Sequence, residues 1–120
     1  MPHYPHLSLR FSLTSESLFG PGKAALLEGI SQTGSIAAAG RAMGMSYKRA
    51  WYLIDTLNTS FVEPLVVSTK GGKAGGGAKL TPTGAQVLAL YRHMERAALD
   101  ATAKDLERIT ALATAPQATD

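Results

Sequence analysis

The sequence predicts an α+β fold, a winged helix-turn-helix carrying a long C-terminal helix. Three observations point there. Two short helical stretches, Ile36 to Met43 and Tyr47 to Ser60, meet at the glycine turn Met43-Gly44-Met45-Ser46, and another, Lys23 to Gln32, precedes them. A β-branched run then enters a glycine- and lysine-rich tip and returns, the pattern of a hairpin. Thr81-Pro82 then opens a helical pattern that continues to Leu112.

Taken in order, Leu7 to Leu13 alternates, with Leu7, Leu9, Phe11 and Leu13 on one face, which predicts a half-buried strand. Thr14 to Gly22 is rich in turn formers. Lys23 to Gln32 reads as a helix with Leu26, Leu27 and Ile30 as its apolar face, and Gly34 suits its C-terminus. Ser35 can cap a second helix, Ile36 to Met43, because its hydroxyl can accept from a free N–H of the first turn. Gly44 ends that helix, Met45 turns inward, and Ala39 and Gly40 are small enough for close helix packing. Ser46 caps a third helix, Tyr47 to Ser60, whose inner face is Ala50, Ile54 and Leu57. Pro64 breaks the pattern. Leu65 to Ser68 reads as a strand, Gly71 to Gly77 as its glycine-rich tip, and Ala78 to Leu80 as the returning strand. Thr81 supplies a capping hydroxyl and Pro82 a preset first helical residue. Residues 1–120 therefore read as one domain, with 82–112 the long helix and 113–120 a fraying tail.

Bulk properties narrow the function. The 120 residues are 45% hydrophobic and 18% charged, enough apolar content for a core and too little charge for a disordered tail. The absence of cysteine excludes disulfides, thiolate metal sites and cysteine nucleophiles. Residues 1–13 lack a basic stretch followed by a long apolar run, and no apolar run reaches the roughly 18 residues of a membrane helix. The expectation is a cytoplasmic protein with no membrane partner, for which the glycosylation pattern Asn58-Thr59-Ser60 is without meaning. His3, His6 and His93 are too scattered for a metal site, so no metal is expected. No Ser-His-Asp set or close carboxylate pair stands out, so an enzyme is not expected. The glycine run fails the phosphate-loop pattern, and Gly20-x-Gly22-x-x-Ala25 lacks the βαβ frame of a dinucleotide site.

What remains is a basic, aromatic surface. The net charge of +3 permits an anionic partner. The outer face of the third helix opens with Tyr47, Lys48 and Arg49 and continues at Tyr52. Cationic donors at the start of such a helix can reach base edges or phosphates in a major groove, and tyrosines can donate to phosphate. Ser46 starts this helix, and Ser35 can offer its hydroxyl at the start of the preceding one. Behind them, Lys70, Lys73 and Lys79 flank the glycines of the wing, where Gly72 lets backbone approach a phosphate ribbon. Trp51, beside the apolar stripe, is expected to pack rather than touch bases. The same residues could be an ordinary solvated face, so a winged-helix protein-interaction module or a nonspecific DNA binder stays open beside sequence-specific binding of double-stranded DNA.

The stretches Thr33-Gly34-Ser35-Ile36 and Met43 to Trp51, followed by the wing Gly71 to Thr81, resemble the DNA-binding part of the ModE family of molybdate-responsive regulators, and more loosely the LysR-type regulators. The resemblance covers Leu7 to Asp105. It implies a homodimer joined by the long helix, a palindromic operator, and molybdenum-related target genes. Family members carry C-terminal molybdate-binding domains that no residues of this chain match. Two expectations stay open: a single-domain form with no cofactor, whose effector is sensed by a separate protein, or a truncated piece of a longer regulator. The long helix itself is too long for one small domain to cover. Its stripe Val87, Tyr91, Met94, Ala98 and Ala101 is expected to form the dimer seam, placing two recognition helices about 34 Å apart. Asp100 and Lys104 are spaced for an i,i+4 ion pair.

Overall fold

The computed structural model describes residues 4–69 and 77–114. Its elements are β1 (Phe11–Thr14), β2 (Ser17–Phe19), α1 (Pro21–Thr33), α2 (Ile36–Ala42), α3 (Tyr47–Ser60), β3 (Val66–Thr69), β4 (Gly77–Leu80) and α4 (Pro82–Leu112). The strands form two separate antiparallel hairpins, β1-β2 and β3-β4.

The first hairpin corrects the sequence reading. The strand begins at Phe11 rather than Leu7, and Ser17–Phe19, read as turn, is its partner. Phe11 faces Phe19 across the ladder, with their rings stacked at 5.3 Å. The register shifts between Ser12 and Thr14, so the alternation fails at Leu13, which turns to solvent. Leu9 and Phe11 pack against the core as expected, whereas Leu7 is exposed.

Helix α1 starts two residues earlier than the apolar pattern suggests, because Pro21 serves as a preset first helical residue. It ends at Gly34, which adopts the left-handed conformation and donates its N–H to Ile30 O at 2.8 Å. Ser35 and Ser46 cap α2 and α3, accepting from Ala38 N and Arg49 N, each at 3.0 Å. Such caps are worth about 1 kcal/mol apiece. Helix α2 ends at Ala42 rather than Met43, and Gly44 makes the turn at φ 74°. A Cβ on Gly40 would lie 2.9 Å from the Ala50 Cβ, so the close approach of α2 and α3 depends on that glycine.

The core joins Leu26, Leu27 and Ile30 of α1, Ile36 and Ala39 of α2, Ala50, Ile54 and Leu57 of α3, and Leu65, Val66 and Ala78 of the wing. Full burial of each large aliphatic chain contributes about 2 kcal/mol. Phe19 and Tyr91 close it on the side of the first hairpin.

Tyr91 is the second correction. The sequence places it on a dimer seam, but the structure buries it to 1% exposure in its own domain. Its hydroxyl donates to Leu9 O at 2.7 Å, and its ring meets Phe19 edge-on at 5.1 Å. Burial, with the Glu95 carboxylate adding to it, raises the phenol above its usual pKa of 10.0. Val87 likewise packs against the core. The residues around the first hairpin provide the cover that a partner was expected to provide. The ion pairs among the described residues are Arg92–Glu28 at 2.6 Å and Arg92–Glu95 at 2.9 Å, and Asp100–Lys104 is not one of them. No helix among the described residues is long and apolar enough to cross a membrane.

Candidate nucleic-acid interface

Helix α3 has one buried face, Ala50, Ile54 and Leu57, which fixes the direction of everything else on it. Tyr47 and Tyr52 are 58% and 61% exposed, and Lys48 and Arg49 are exposed with them. Lys48 and Tyr52 point away from the core between two flanks, by the helical spacing alone. On one flank Tyr47 meets Trp51 edge-on, ring centroids 6.3 Å apart. On the other, the Arg49 guanidinium lies over the Tyr52 ring at 5.7 Å. That cation–π contact pre-orients both side chains while leaving the guanidinium edge free to donate.

The Tyr47 flank borders a concavity of about 640 Å³ whose walls include Ser35, Arg41, Tyr47, Trp51, Ser68 and Thr69. It runs between the start of α2, α3 and the wing. Trp51 is therefore not core packing, as the sequence suggested, but an exposed wall of this groove. Its i,i+4 relation to Tyr47 is the signal that places both on one face. Arg41 was also missed, an exposed cation in the last turn of α2. Ser35 lines the groove, and its oxygen already accepts from Ala38, leaving its hydroxyl hydrogen to donate. Ser46 is exposed at the head of α3 and is engaged as its cap.

The wing is held in place by a residue the sequence reading passed over. Asn58 Oδ1 accepts from Leu65 N at 2.9 Å and Val66 N at 3.1 Å, and its Nδ2 donates to Val66 O at 3.0 Å. One amide side chain thus ties the end of α3 to the start of β3. A polar residue four positions beyond Ile54, at the edge of the inner stripe, was the available sign. On the other strand, Ala78 N donates to Gly34 O at 2.9 Å, tying β4 to the turn before α2. Thr81 donates to Pro64 O at 2.7 Å while capping α4 through Gly84 N. Helix α3, the wing and α4 are therefore fixed relative to one another by hydrogen bonds as well as packing.

Lys79 sits on β4 opposite Val67 and is exposed. The remaining wing candidates, Lys70, Gly72 and Lys73, lie outside the described residues. The dimer candidates divide. Val87 and Tyr91 belong to the domain's own packing, Met94 is 40% exposed, Ala101 is exposed and Ala98 is half-buried.

A family described as bacterial regulatory helix-turn-helix protein, lysR family, matches residues 23–85, from α1 through the wing into the first turn of α4. The chain is 47% identical over 76 residues to the molybdenum-pterin-binding protein MopB of Rhodobacter capsulatus, covering 63% of this chain and 28% of that protein. It is 44% identical over 88 residues to the molybdenum transport protein ModE of Azotobacter vinelandii, covering 71% of this chain and 33% of that protein. Each match thus spans about a third of the relative's length. Among solved structures, ArgP from Mycobacterium tuberculosis superposes with a TM-score of 0.51 at 20% identity, covering 70% of this chain and 30% of that one, which supports the fold. The resemblance to ModE regulators read from the sequence is borne out over this segment. With just over half of its length matched, the chain belongs to the bacterial regulatory helix-turn-helix proteins of the lysR family.

Proposed function

We propose that this chain is the DNA-binding module of a ModE-like transcriptional regulator of molybdenum-related genes, acting in the cytoplasm as a homodimer on a palindromic operator. The observation that carries this reading is the outer face of α3. Lys48 and Tyr52 face outward, Tyr47 and Arg49 flank them, and the opposite face is locked into the core.

In that reading the first turns of α3 enter the major groove. Arg49 and Lys48 donate to guanine O6 and N7 or to phosphate, and a good bidentate pair is worth roughly 1–3 kcal/mol of base discrimination. Tyr47 and Tyr52 donate to phosphates through their hydroxyls. Arg41, Ser35 and Lys79 grip the backbone beside the groove, with Lys70 and Lys73 extending the grip along the wing. None of these groups needs a cofactor or molybdate, so operator affinity of this chain is expected to be indifferent to molybdate, and effector sensing falls to other residues or another protein.

The homodimer uses the open part of the α4 stripe. Beyond Tyr91 that stripe continues as Met94, Ala98 and Ala101 and reaches Ile109 and Leu112 at i,i+3 and i,i+4 steps, interrupted by Asp105. Two such helices crossing closely at the alanines bury side chains that are otherwise open to water.

The test is binding of Arg49→Ala and Tyr47→Phe variants to operator and scrambled duplexes. Arg49→Ala is expected to erase most of the preference for the operator. Equal loss on both duplexes would reassign Arg49 to backbone contact, and unchanged binding would remove α3 from the interface and favour a protein-interaction module.

A further inference from the structure

The far flank of α3, turned away from the wing, borders a second concavity of about 470 Å³, and three cations converge on it from three separate elements. Arg10 precedes β1, Lys23 stands in the first turn of α1 and Arg49 in the first turn of α3. Among the described residues none of the three forms an ion pair, since both ion pairs belong to Arg92. Their placement is built rather than incidental. Lys23 Nζ donates to Leu18 O at 2.6 Å, holding the ammonium at the base of the first hairpin. The Arg10 stem lies so close over Gly20 that a Cβ there would fall 2.9 Å from Arg10 Cγ. The first turn of α1 has no side-chain cap, and Gly20, Pro21 and Gly22 line the same concavity.

Collecting like charges around a common space disfavours the fold unless an anion fills the space. Lys23 is the most enclosed of the three, and burial first, with the neighbouring Arg49 guanidinium second, lowers its pKa from 10.5. A helix lying in a major groove has a phosphate strand on each side of it. The wing and the groove beside Tyr47 face one strand, and nothing assigned so far faces the other.

We propose that Arg10 and Lys23 form a second anion-binding surface on the hairpin flank of α3, beside the base-reading Arg49, a clamp for a backbone phosphate of duplex DNA on the side opposite the wing. This rests on the DNA-binding reading above and extends it to the first hairpin. The hairpin then has two tasks, covering Tyr91 on one side and aligning Arg10 and Lys23 beside α3 on the other. A phosphate contact carries no sequence information, so the clamp adds affinity and register without adding base preference.

The experiment is a salt titration of DNA binding by Arg10→Gln, Lys23→Gln and their double variant, on operator and scrambled duplex, with thermal melts alongside. The expected result is a slope of log affinity against log salt shallower by about one unit for each lost contact. Affinity should fall by the same factor on both duplexes. Lys23→Arg should keep the slope, and it serves as the control if Arg10→Gln disturbs the hairpin. Unchanged slope and affinity in variants that melt like the parent would overturn the clamp while leaving the α3 interface intact. A parent protein that binds no duplex at any salt would overturn both. Competition by inorganic phosphate at constant ionic strength, equal for parent and double variant, is expected for a backbone clamp. Competition seen only with the parent would instead assign the site to a free oxyanion.

Discussion

Helix α4 runs unbroken from Pro82 to Leu112, yet its two halves live in different surroundings. In the first half Gly84 lies against the Leu65 carbonyl, Val87 and Leu88 pack on the core, Tyr91 is buried, and Arg92 reaches Glu28 of α1. In the second half, from Arg96 onward, no residue is buried, and Leu99, Ile109 and Leu112 are 48%, 63% and 87% exposed. The stripe that carries Val87 and Tyr91 in the first half carries Ile109 and Leu112 in the second. Periodicity tells which residues share a face, but it cannot tell whether the chain itself or another molecule covers that face.

The sharpest way to break this contrast is at Gly84. A Cβ there would meet the Leu65 carbonyl oxygen and carbon, which are backbone atoms with little room to move. Gly84→Ala is expected to cost about 3 kcal/mol or more in a thermal or urea melt, the upper end for overpacking. A cost under ~1 kcal/mol would mean that wing and α4 are less tightly joined than described. In the second half the sensitive readout is association rather than folding. Met94→Glu with Ala98→Glu places like charges across a two-fold seam, which costs several kcal/mol, so the dimer dissociation constant should rise by about 100-fold or more. Sedimentation velocity reads this directly, and an unchanged dimer would move the seam elsewhere.

Tyr91→Phe tests the boundary between the halves. It removes the hydrogen bond to Leu9 O at an expected cost of about 1 kcal/mol while leaving the dimer intact. It also changes the alkaline limb. The folded phenol holds its proton more tightly than the unfolded one, so its contribution is complete below pH 10.0 and is lost as pH rises through the higher folded value. The variant should lose that decline, and a variant that keeps it would place the titrating group elsewhere. The smallest effect is expected for Leu99→Ser, within about 0.5 kcal/mol of the parent in monomer stability, as for an exposed site with no core contact.

What was legible in the sequence follows the same division between local and nonlocal physics. The bounds of α3 and α4 could be read because Ser46, Thr81 and Pro82 are local caps whose chemistry needs no partner. The helix-turn-helix could be read because Gly44 supplies the left-handed turn and Ala39 and Gly40 are small where two short helices must approach closely. Strand β2 could not, since Ser17 and Leu18 carry little strand preference and the pairing rests on Phe19 meeting Phe11 and Tyr91. Tyr91 was placed on the right stripe and against the wrong neighbour for the same reason. At the interface, Tyr47, Lys48, Arg49 and Tyr52 were legible as the complement of a clear inner face. Trp51, Arg41 and Asn58 were not, because the role of each depends on the β3-β4 hairpin, whose strands line the groove and accept from and donate to Asn58. Asn58 in particular takes its meaning from backbone groups seven and eight residues onward.

The central claim is that the outer face of α3, flanked on both sides by cations, binds DNA with sequence preference. The most direct test is a salt titration of purified chain against a ModE-type palindrome and a scrambled duplex of the same length, with and without molybdate. The account predicts tighter binding to the palindrome at every salt concentration, a steep linear fall of log affinity with log salt, and no response to molybdate. Equal affinity for the two duplexes across the whole salt range would contradict it.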